Sequence, residues 1–410
     1  MSDLWLVGGR TGRFARADVP VLPVLSLIAG LTWTLGYIMR LPCRVADFSN
    51  ADRYVRMCYT DMPYLFTGRG LDQGILPYLQ TTAGAQSIEY PVLTGWFMWL
   101  AAKIGGQDGS SFYDANAVLL LLCFLVAVVA TALTLPDRPW VTAMVAASPV
   151  VIMTGLINWD LFAVALTSLS FLLWSGQRIA WAGVLLGLAI SAKFYPVVIL
   201  GAVFLWAVRY RKFRMFLTFS GAALVTWGVV NVPFAVLARE EWLRFYLFSR
   251  ERGTDFGSIW LAGQYLFDLD TSNINMLVAL TLIALVVAIS IVTLTSRGEP
   301  TLAQISFLLV AAFTMSNKVY SPQYALWLLP LAVLAYPRIR PLLVWSGGQV
   351  LYTISIWLFL EQYGKDDSKG IPEQTYALSI LIMIALTGWL AIQVIRTFWQ
   401  SGDRDFSVAR

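Results

Sequence analysis

The chain has 410 residues, of which 58% are hydrophobic and only 13% charged, with 29 Lys/Arg against 24 Asp/Glu for a formal net charge of +5. A soluble domain carries about 25% charged residues. The deficit, with a mean hydropathy of +0.68, excludes an ordinary soluble domain and predicts an all-α polytopic membrane protein. Zero His removes the commonest metal ligand and general base. Three Cys without a CxxC pair give no zinc pattern, so no cofactor is expected and the sequence does not indicate a divalent metal. The modest positive charge is read as topology, not as nucleic-acid binding.

Residues 1–19 are polar, with Arg10, Arg13 and Arg16, and no small-residue cleavage site follows the first apolar run, so no cleavable signal peptide is expected. Apolar runs of about 20 residues are the spanning signal. They predict about 12 spans, near 20–39, 114–135, 141–157, 160–175, 180–193, 195–208, 214–236, 274–296, 301–317, 321–336, 341–360 and 375–396. The stretch from Ile179 to Val208 lies between two basic loops and reads as two short helices broken at Lys193-Phe194-Tyr195-Pro196.

With the N-terminus inside, the cytoplasmic pieces hold 15 Lys/Arg and 6 acidic residues, and the rest of the chain holds 14 and 18. The densest basic cluster is Arg209, Arg211, Lys212 and Arg214, in a short loop where the positive-inside bias is most informative. Both termini are therefore expected in the cytoplasm. The whole chain, 1–410, reads as one integral membrane domain with two long outer segments, 40–113 and 237–273. Within the first, Tyr90–Ile104 is apolar but too short to span, and is expected to lie along the interface.

The chemistry-bearing residues collect at the outer ends of these spans. Asp61, in Cys58-Tyr59-Thr60-Asp61-Met62-Pro63-Tyr64, is a carboxylate among apolar and aromatic neighbours, a setting that raises a pKa and suits a general base. Glu89-Tyr90-Pro91 opens the interfacial helix. Glu89 either serves the helix dipole or contacts a sugar. Asp160, in Asn158-Trp159-Asp160, either caps the next span or joins the site. Lys193, between two apolar half-helices, is a functional candidate by default, with snorkelling as the bland alternative. Arg250 and Arg252 stand in a loop with Gly253 and Gly257, a composition that suits phosphate. Ser316-Asn317-Lys318-Val319-Tyr320-Ser321-Pro322-Gln323 interrupts apolar helices and must line a cavity or be buried in protein. No Walker loop, GxGxxG, HExxH or GxSxG occurs. Cys43 and Cys58, both on the oxidising side, are expected to form a disulfide that fixes the strand entering Asp61, with two free thiols as the alternative and Cys123 left in a span.

These features together resemble the C-type superfamily of membrane glycosyltransferases (GT-C). More narrowly, the chain resembles glycosyltransferase family 87, the polyprenyl-phosphomannose-dependent mannosyltransferases of actinobacteria. The resemblance covers nearly the whole chain. It rests on Asp61 in CYTDMPYLF, on Glu89-Tyr90-Pro91, on GLAISAKFYP ending at Lys193 and Pro196, on RERGTDFGSIW and on SNKVYSPQY. One departure is that Tyr90-Pro91 is followed by Val92, where a second Pro is usual.

The resemblance implies a GT-C fold with a long first extracytoplasmic loop. It implies an inverting transfer of a sugar, foremost mannose, from a polyprenyl phosphate to a cell-envelope glycolipid or glycan at the outer face. Asp61 would be the catalytic base. Lys193, Arg250, Arg252 and Lys318 would hold the donor phosphate, and Glu89, Tyr90, Asp160, Tyr320 and Gln323 the sugars. Transfer of arabinofuranose or another sugar is the alternative within this class. A lipid-linked sugar flippase is the alternative outside it, disfavoured because the polar residues gather at one end and not at the bilayer midplane.

Overall fold

The computed structural model describes residues 21–82, 84–106, 108–363 and 369–399. The basic residues predicted inside at the two termini, Arg10, Arg13, Arg16, Arg404 and Arg410, lie outside the described residues. Among the described residues every regular element is helical, in the order α1 Val21–Val45, α2 Met62–Gly68, α3 Val92–Gly105, α4 Gly109–Thr134, α5 Ala143–Ala146, α6 Pro149–Thr154, α7 Asp160–Ser175, α8 Ile179–Ala192, α9 Val197–Tyr210, α10 Phe213–Leu237, α11 Arg239–Glu251, α12 Ile259–Phe267, α13 Ile274–Thr295, α14 Leu302–Ser316, α15 Ala325–Ala335, α16 Ile339–Gln362 and α17 Glu373–Thr397.

Six helices are long and apolar enough to cross a membrane: α1, α4, α10, α13, α16 and α17. The expectation of twelve full spans is not reproduced, because the remaining apolar helices are shorter. A 14-residue helix such as α8 reaches only about 21 Å at 1.5 Å per residue, against a hydrocarbon core of about 30 Å. The chain is a multi-pass membrane protein built from long spans and short, broken ones.

Two of the departures from the sequence reading share one cause. The first span runs past its expected end at 39 to Val45, so Arg40 and Cys43 sit inside α1. The expected span 141–157 is instead a 3-10 turn at Pro139–Thr142 followed by α5 and α6. Pro149 lacks an N–H and cannot continue a ladder, and Ser148 accepts from Val150 N to start α6. The short α6 leaves carbonyls open at its C-terminal end. Arg40, fully buried, donates to two of them, Ile152 O at 2.6 Å and Met153 O at 2.5 Å. A cation at the negative end of a helix is favoured. The apolar run was legible; its break needed a residue 112 positions away.

The core is built by close contact between short helices. α8 packs along α10 and α7, α7 along α4, and α14 along α9 and α15. Gly183 and Gly187, one turn apart on α8, make the first contact possible: a Cβ there would stand 2.2 Å from Phe219 O and 2.4 Å from Ala223 O of α10. Small residues at this spacing let membrane helices approach closely. By contrast, only 11% of the apolar window of α10 and of α13 is buried, against 50% for α4 and 61% for α16. Those two bare helices present Leu217, Leu224, Val229, Ile283, Val287 and Ile291 outward, an apolar surface suited to lipid.

The bundle has two chemically distinct ends. At one, the C-terminal ends of α9, α13 and α17 meet the start of α14. Arg209 donates to Leu294 O, Ser296 O and Gly298 O, Tyr210 to Pro300 O, and Gln304 to Thr397 Oγ1. At the other end lie the C-terminal ends of α1, α8, α14 and α16, the start of α7, and helices α2 and α11.

Candidate active site

A cavity of about 460 Å³ opens at this second end. The loop between α1 and α2 forms one wall. Its entry is fixed by the disulfide between Cys43 and Cys58, whose Cα atoms are 5.7 Å apart. Asp61 then stands at the N-terminal boundary of α2. Its backbone N–H donates to Ile157 O at 2.9 Å, and the Thr60 hydroxyl donates to the same carbonyl at 3.1 Å. The loop that carries Asp61 is thus clipped to the loop before α7. Asn158 of that loop donates to the Asp61 carboxylate at 3.4 Å. Burial pushes the Asp61 carboxyl up to about 6; hydrogen bonds from Tyr59 and Asn158 and the charge of Lys193 pull the other way, and the nearby charge of Asp160 adds to the rise.

The other charged groups lining the cavity, Glu89, Lys193 and Arg252, are already paired. Glu89 lines it but accepts both nitrogen contacts of a bidentate fork from Arg69, the Nε contact at 2.6 Å. Asp160, fully buried as the first residue of α7, accepts from Lys193 Nζ at 3.2 Å and from Trp327 Nε1. Lys193 caps the C-terminus of α8 in an extended conformation, lies 4.9 Å from the Tyr90 ring centroid and reaches the cavity. Arg252 also lines the cavity and pairs with Asp255 at 2.5 Å. Of the two carboxylates in the described lining, Asp61 is the one outside an ion pair.

The structure therefore brings Asp61, Glu89, Tyr90, Lys193, Arg252 and Gln323 onto one cavity and leaves four expected site residues off its lining. Asp160 stands behind Lys193. It does not cap α7 through its side chain, because its oxygens are taken by Lys193 and Trp327. Lys318 is buried and spends its ammonium on Arg250 O at 2.9 Å and Asn275 Oδ1 at 2.8 Å, tying the C-terminal end of α11 to the start of α13. Arg250 is exposed near the end of α11 and enters this tie through its carbonyl. Tyr320 is buried, its hydroxyl donating to Gln349 Oε1 at 2.8 Å. Among the cations proposed for phosphate, Lys193 and Arg252 are the pair that reaches the cavity.

Sequence reasoning missed Arg69 and Trp357. Arg69 lies 20 residues from Glu89, and a lone Arg in a loop carries no pairing signal. Trp357 belongs to the apolar run of α16 and looks like a membrane residue, yet it lines the cavity beside Tyr54 and Tyr59, with ring centroids 5.9 and 5.2 Å away.

A family model, Glycosyltransferase family 87, matches residues 89–316, more than half of the chain. The chain belongs to glycosyltransferase family 87. The matched range contains Glu89, Tyr90, Asp160, Lys193 and Arg252; Asp61, Gln323 and Trp357 lie outside it. No curated protein matches the chain. Among solved structures, ArnT from Cupriavidus metallidurans bound to undecaprenyl phosphate is a distant likeness, with a TM-score of 0.49 and 15% identity over 93% of this chain and 74% of that one.

Proposed function

We propose that this family 87 member is an inverting transferase that takes a sugar, foremost mannose, from a polyprenyl phosphate and passes it to a hydroxyl of a cell-envelope glycolipid or glycan at the outer face. The observation that carries the reading is Asp61, a carboxylate outside any ion pair, partly buried in a cavity that two cations also reach. A carboxyl poised near 6 is ionised at neutral pH and still basic enough to accept a proton in the transition state. It would take the proton of the acceptor hydroxyl. The hydroxyl oxygen bonds to the anomeric carbon as the bond from that carbon to the phosphate oxygen breaks, and the polyprenyl phosphate leaves with the electron pair. Attack opposite the leaving group inverts the configuration.

The leaving phosphate gains charge as this happens, and fixed cations placed for that charge lower the barrier. Lys193 and Arg252 suit this role. Their partners Asp160 and Asp255 hold them in place and temper their fields, so the phosphate would enter a site that is positioned but not strongly positive. Glu89, locked to Arg69, would shape the wall near Tyr90. The outer-face assignment is supported by the basic connections around Arg209, which gather at the opposite end of the bundle.

The test is transfer by the purified chain in nanodiscs, with polyprenyl phosphomannose, phosphoarabinofuranose and phosphoglucose offered in turn. Asp61→Asn is nearly isosteric and should fold normally while losing about a hundredfold or more in turnover. Near-normal turnover in that variant would remove Asp61 from the role. Preference for another donor would replace mannose while leaving the mechanism in place.

A further inference from the structure

A cation beside the cavity has no acidic partner. Arg53 lies in the loop between α1 and α2 that also carries Asp61, and no carboxylate pairs with it among the described residues. The acidic residues nearest to it along the loop are engaged elsewhere, Asp52 by Arg56 and Asp47 by Ser110. Its guanidinium carbon stands over the rings of Tyr54 and Tyr64, 5.1 and 5.3 Å from their centroids, and both of these tyrosines line the cavity. Nη1 donates to the Tyr64 hydroxyl at 3.0 Å, in a bond open to solvent, and that hydroxyl donates onward to Phe48 O at 2.8 Å. Nε is closed to solvent, so the Nη edge is the part that an incoming group would meet. The loop is built to hold this pose. The Cys43–Cys58 bridge closes it. Asp47, Phe48 and Met57 hold φ at 46°, 55° and 55°, left-handed values that non-glycine residues keep only where their surroundings fix them, and that gather at ligand sites.

Resting on the transferase reading above, we propose that Arg53, aligned by Tyr54 and Tyr64, binds an anionic group of the acceptor, a phosphodiester or a carboxylate, at the mouth of the cavity. A guanidinium only donates, and its planar fork matches the paired oxygens of a phosphate or carboxylate. A neutral hydroxyl would meet the N–H groups but leave the charge unmatched. Stacked on two rings and tied to a hydroxyl, the side chain gives up little further freedom on binding. The substrate it serves follows from inversion. The attacking hydroxyl and the leaving phosphate stand on opposite faces of the anomeric carbon, so the acceptor enters beside the base. Arg53 belongs to that side. Tyr59 hydrogen-bonds to Asp61 and stacks on Tyr54 at 5.3 Å and on Tyr64 at 5.8 Å, the two rings under Arg53. Lys193 and Arg252 come instead from the ends of α8 and α11, and each already meets a carboxylate. Two sets of cations on separate elements suit two anions, the donor's phosphate and a charge carried by the acceptor.

The test is equilibrium binding to the full chain in nanodiscs of neutral lipid, with polyprenyl phosphate saturating so that the donor's phosphate site is filled. The probes are glycerophosphoglycerol and methyl glucuronide, which carry a phosphodiester and a carboxylate, their counterparts without net negative charge, glycerophosphocholine and methyl glucoside, and inorganic phosphate. Wild type should bind at least one of the two organic anions more tightly than its counterpart. Arg53→Gln should weaken that anion about tenfold, the worth of one charged hydrogen bond, and leave the other probes and polyprenyl phosphate unchanged. Preference for glycerophosphoglycerol assigns the site to a phospholipid headgroup, and preference for methyl glucuronide assigns it to an acidic sugar. Tyr64→Phe keeps the charge and the ring but removes the hydroxyl that aligns the guanidinium. It should weaken the same anion about threefold, and it carries the test alone if Arg53→Gln does not fold. The proposal is overturned if the anion binds the variants as it binds wild type, or if wild type shows no preference for either organic anion. It is also overturned if inorganic phosphate is the one probe bound, or if polyprenyl phosphate displaces the anion, which would return it to the site of Lys193 and Arg252. Near-normal turnover in Asp61→Asn would end the base assignment without touching any of these binding outcomes.

Discussion

The two ends of the helix bundle use the same residue types to opposite effect. At the basic end, Arg209 gives its guanidinium to three backbone carbonyls, and Gln304 closes a capping box with Thr301 while reaching Thr397. Every one of these groups is answered by protein. At the cavity end, Asp61 lacks a cationic partner, and Trp357 Nε1 and Gln323 Oε1 lack any protein partner among the described residues. The cavity end contains committed groups too, as the Arg69–Glu89 and Lys193–Asp160 pairs show. For the charged groups, what separates the two ends is not residue type or burial but whether the charge is already taken up by a protein partner; unpartnered neutral atoms occur at both ends, as Thr293 Oγ1 in α13 shows. The variants below should sort by that rule.

The largest effect belongs to pH, because it acts on the one carboxylate of the described cavity lining that lies outside an ion pair. Turnover should be level above pH 7 and fall about tenfold per unit below pH 6, as a single proton silences Asp61. A rate that stays flat down to pH 4.5 would break the comparison at its centre. The sign for stability is opposite. The folded-state value lies above the ordinary 3.8, so ionisation works against the folded state. The contribution of this carboxyl is whole below about pH 4 and is lost as pH rises through about 6. Asp61→Asn should thus melt at or above the wild-type temperature at pH 7.5, with the difference vanishing near pH 4.

Asp160→Asn comes next. Asn can still accept from Trp327, so the change isolates the charge. Removing one member of a buried pair costs about 3–5 kcal/mol; with Lys193 14% exposed against a fully buried Asp160, the lower part of that range is expected. A freed Lys193 should also hold polyprenyl phosphate more tightly. Adding Lys193→Gln to Asp160→Asn should recover part of the stability and lose the tighter binding. If Asp160→Asn is as stable as wild type, the pair is not a structural unit.

How much of this was legible in the sequence follows the length of the interactions. Apolar runs marked most helices within a few residues, because a span is a local composition signal. The position of Asp61 among aromatic neighbours was local as well. The partners of Glu89, Lys193 and Asp160 were not, since they lie 20, 33 and 167 residues off in Arg69, Asp160 and Trp327. Nor was the break before α6, which is held by Arg40 across 112 residues. Cations could be listed from sequence, but only the fold says which of them are already spent: Lys193 and Arg252 reach the cavity, whereas Lys318 is consumed by a backbone carbonyl and an amide.

Arg209→Gln tests the committed end. It removes a guanidinium that answers three carbonyls around the α13–α14 connection, each bond worth about 0.5–1.5 kcal/mol net. Stability should drop by about 1–3 kcal/mol, read from denaturation in a fixed detergent, while turnover per folded molecule stays within twofold of wild type. A large loss of turnover at full stability would mean that this end also takes part in the chemistry.

The smallest effect, and the sharpest contrast, is between two lysines at the same end. Lys193→Gln should weaken polyprenyl phosphate and polyprenyl phosphomannose alike, since both carry the phosphate that a lysine can meet as a point charge. Lys318→Met keeps an apolar stem and removes an ammonium bonded to Arg250 O and Asn275 Oδ1. It should cost about 1–2 kcal/mol of stability and leave the affinity for both lipids within twofold of wild type. The two lysines stand at the same end of the bundle and carry the same charge, so a general electrostatic role would make their variants bind alike. Equal loss of lipid affinity in both would show that the field of the whole end, and not the uncommitted groups lining the cavity, recognises the phosphate. Loss in Lys193→Gln alone ties recognition to the side chain that reaches the cavity beside Tyr90.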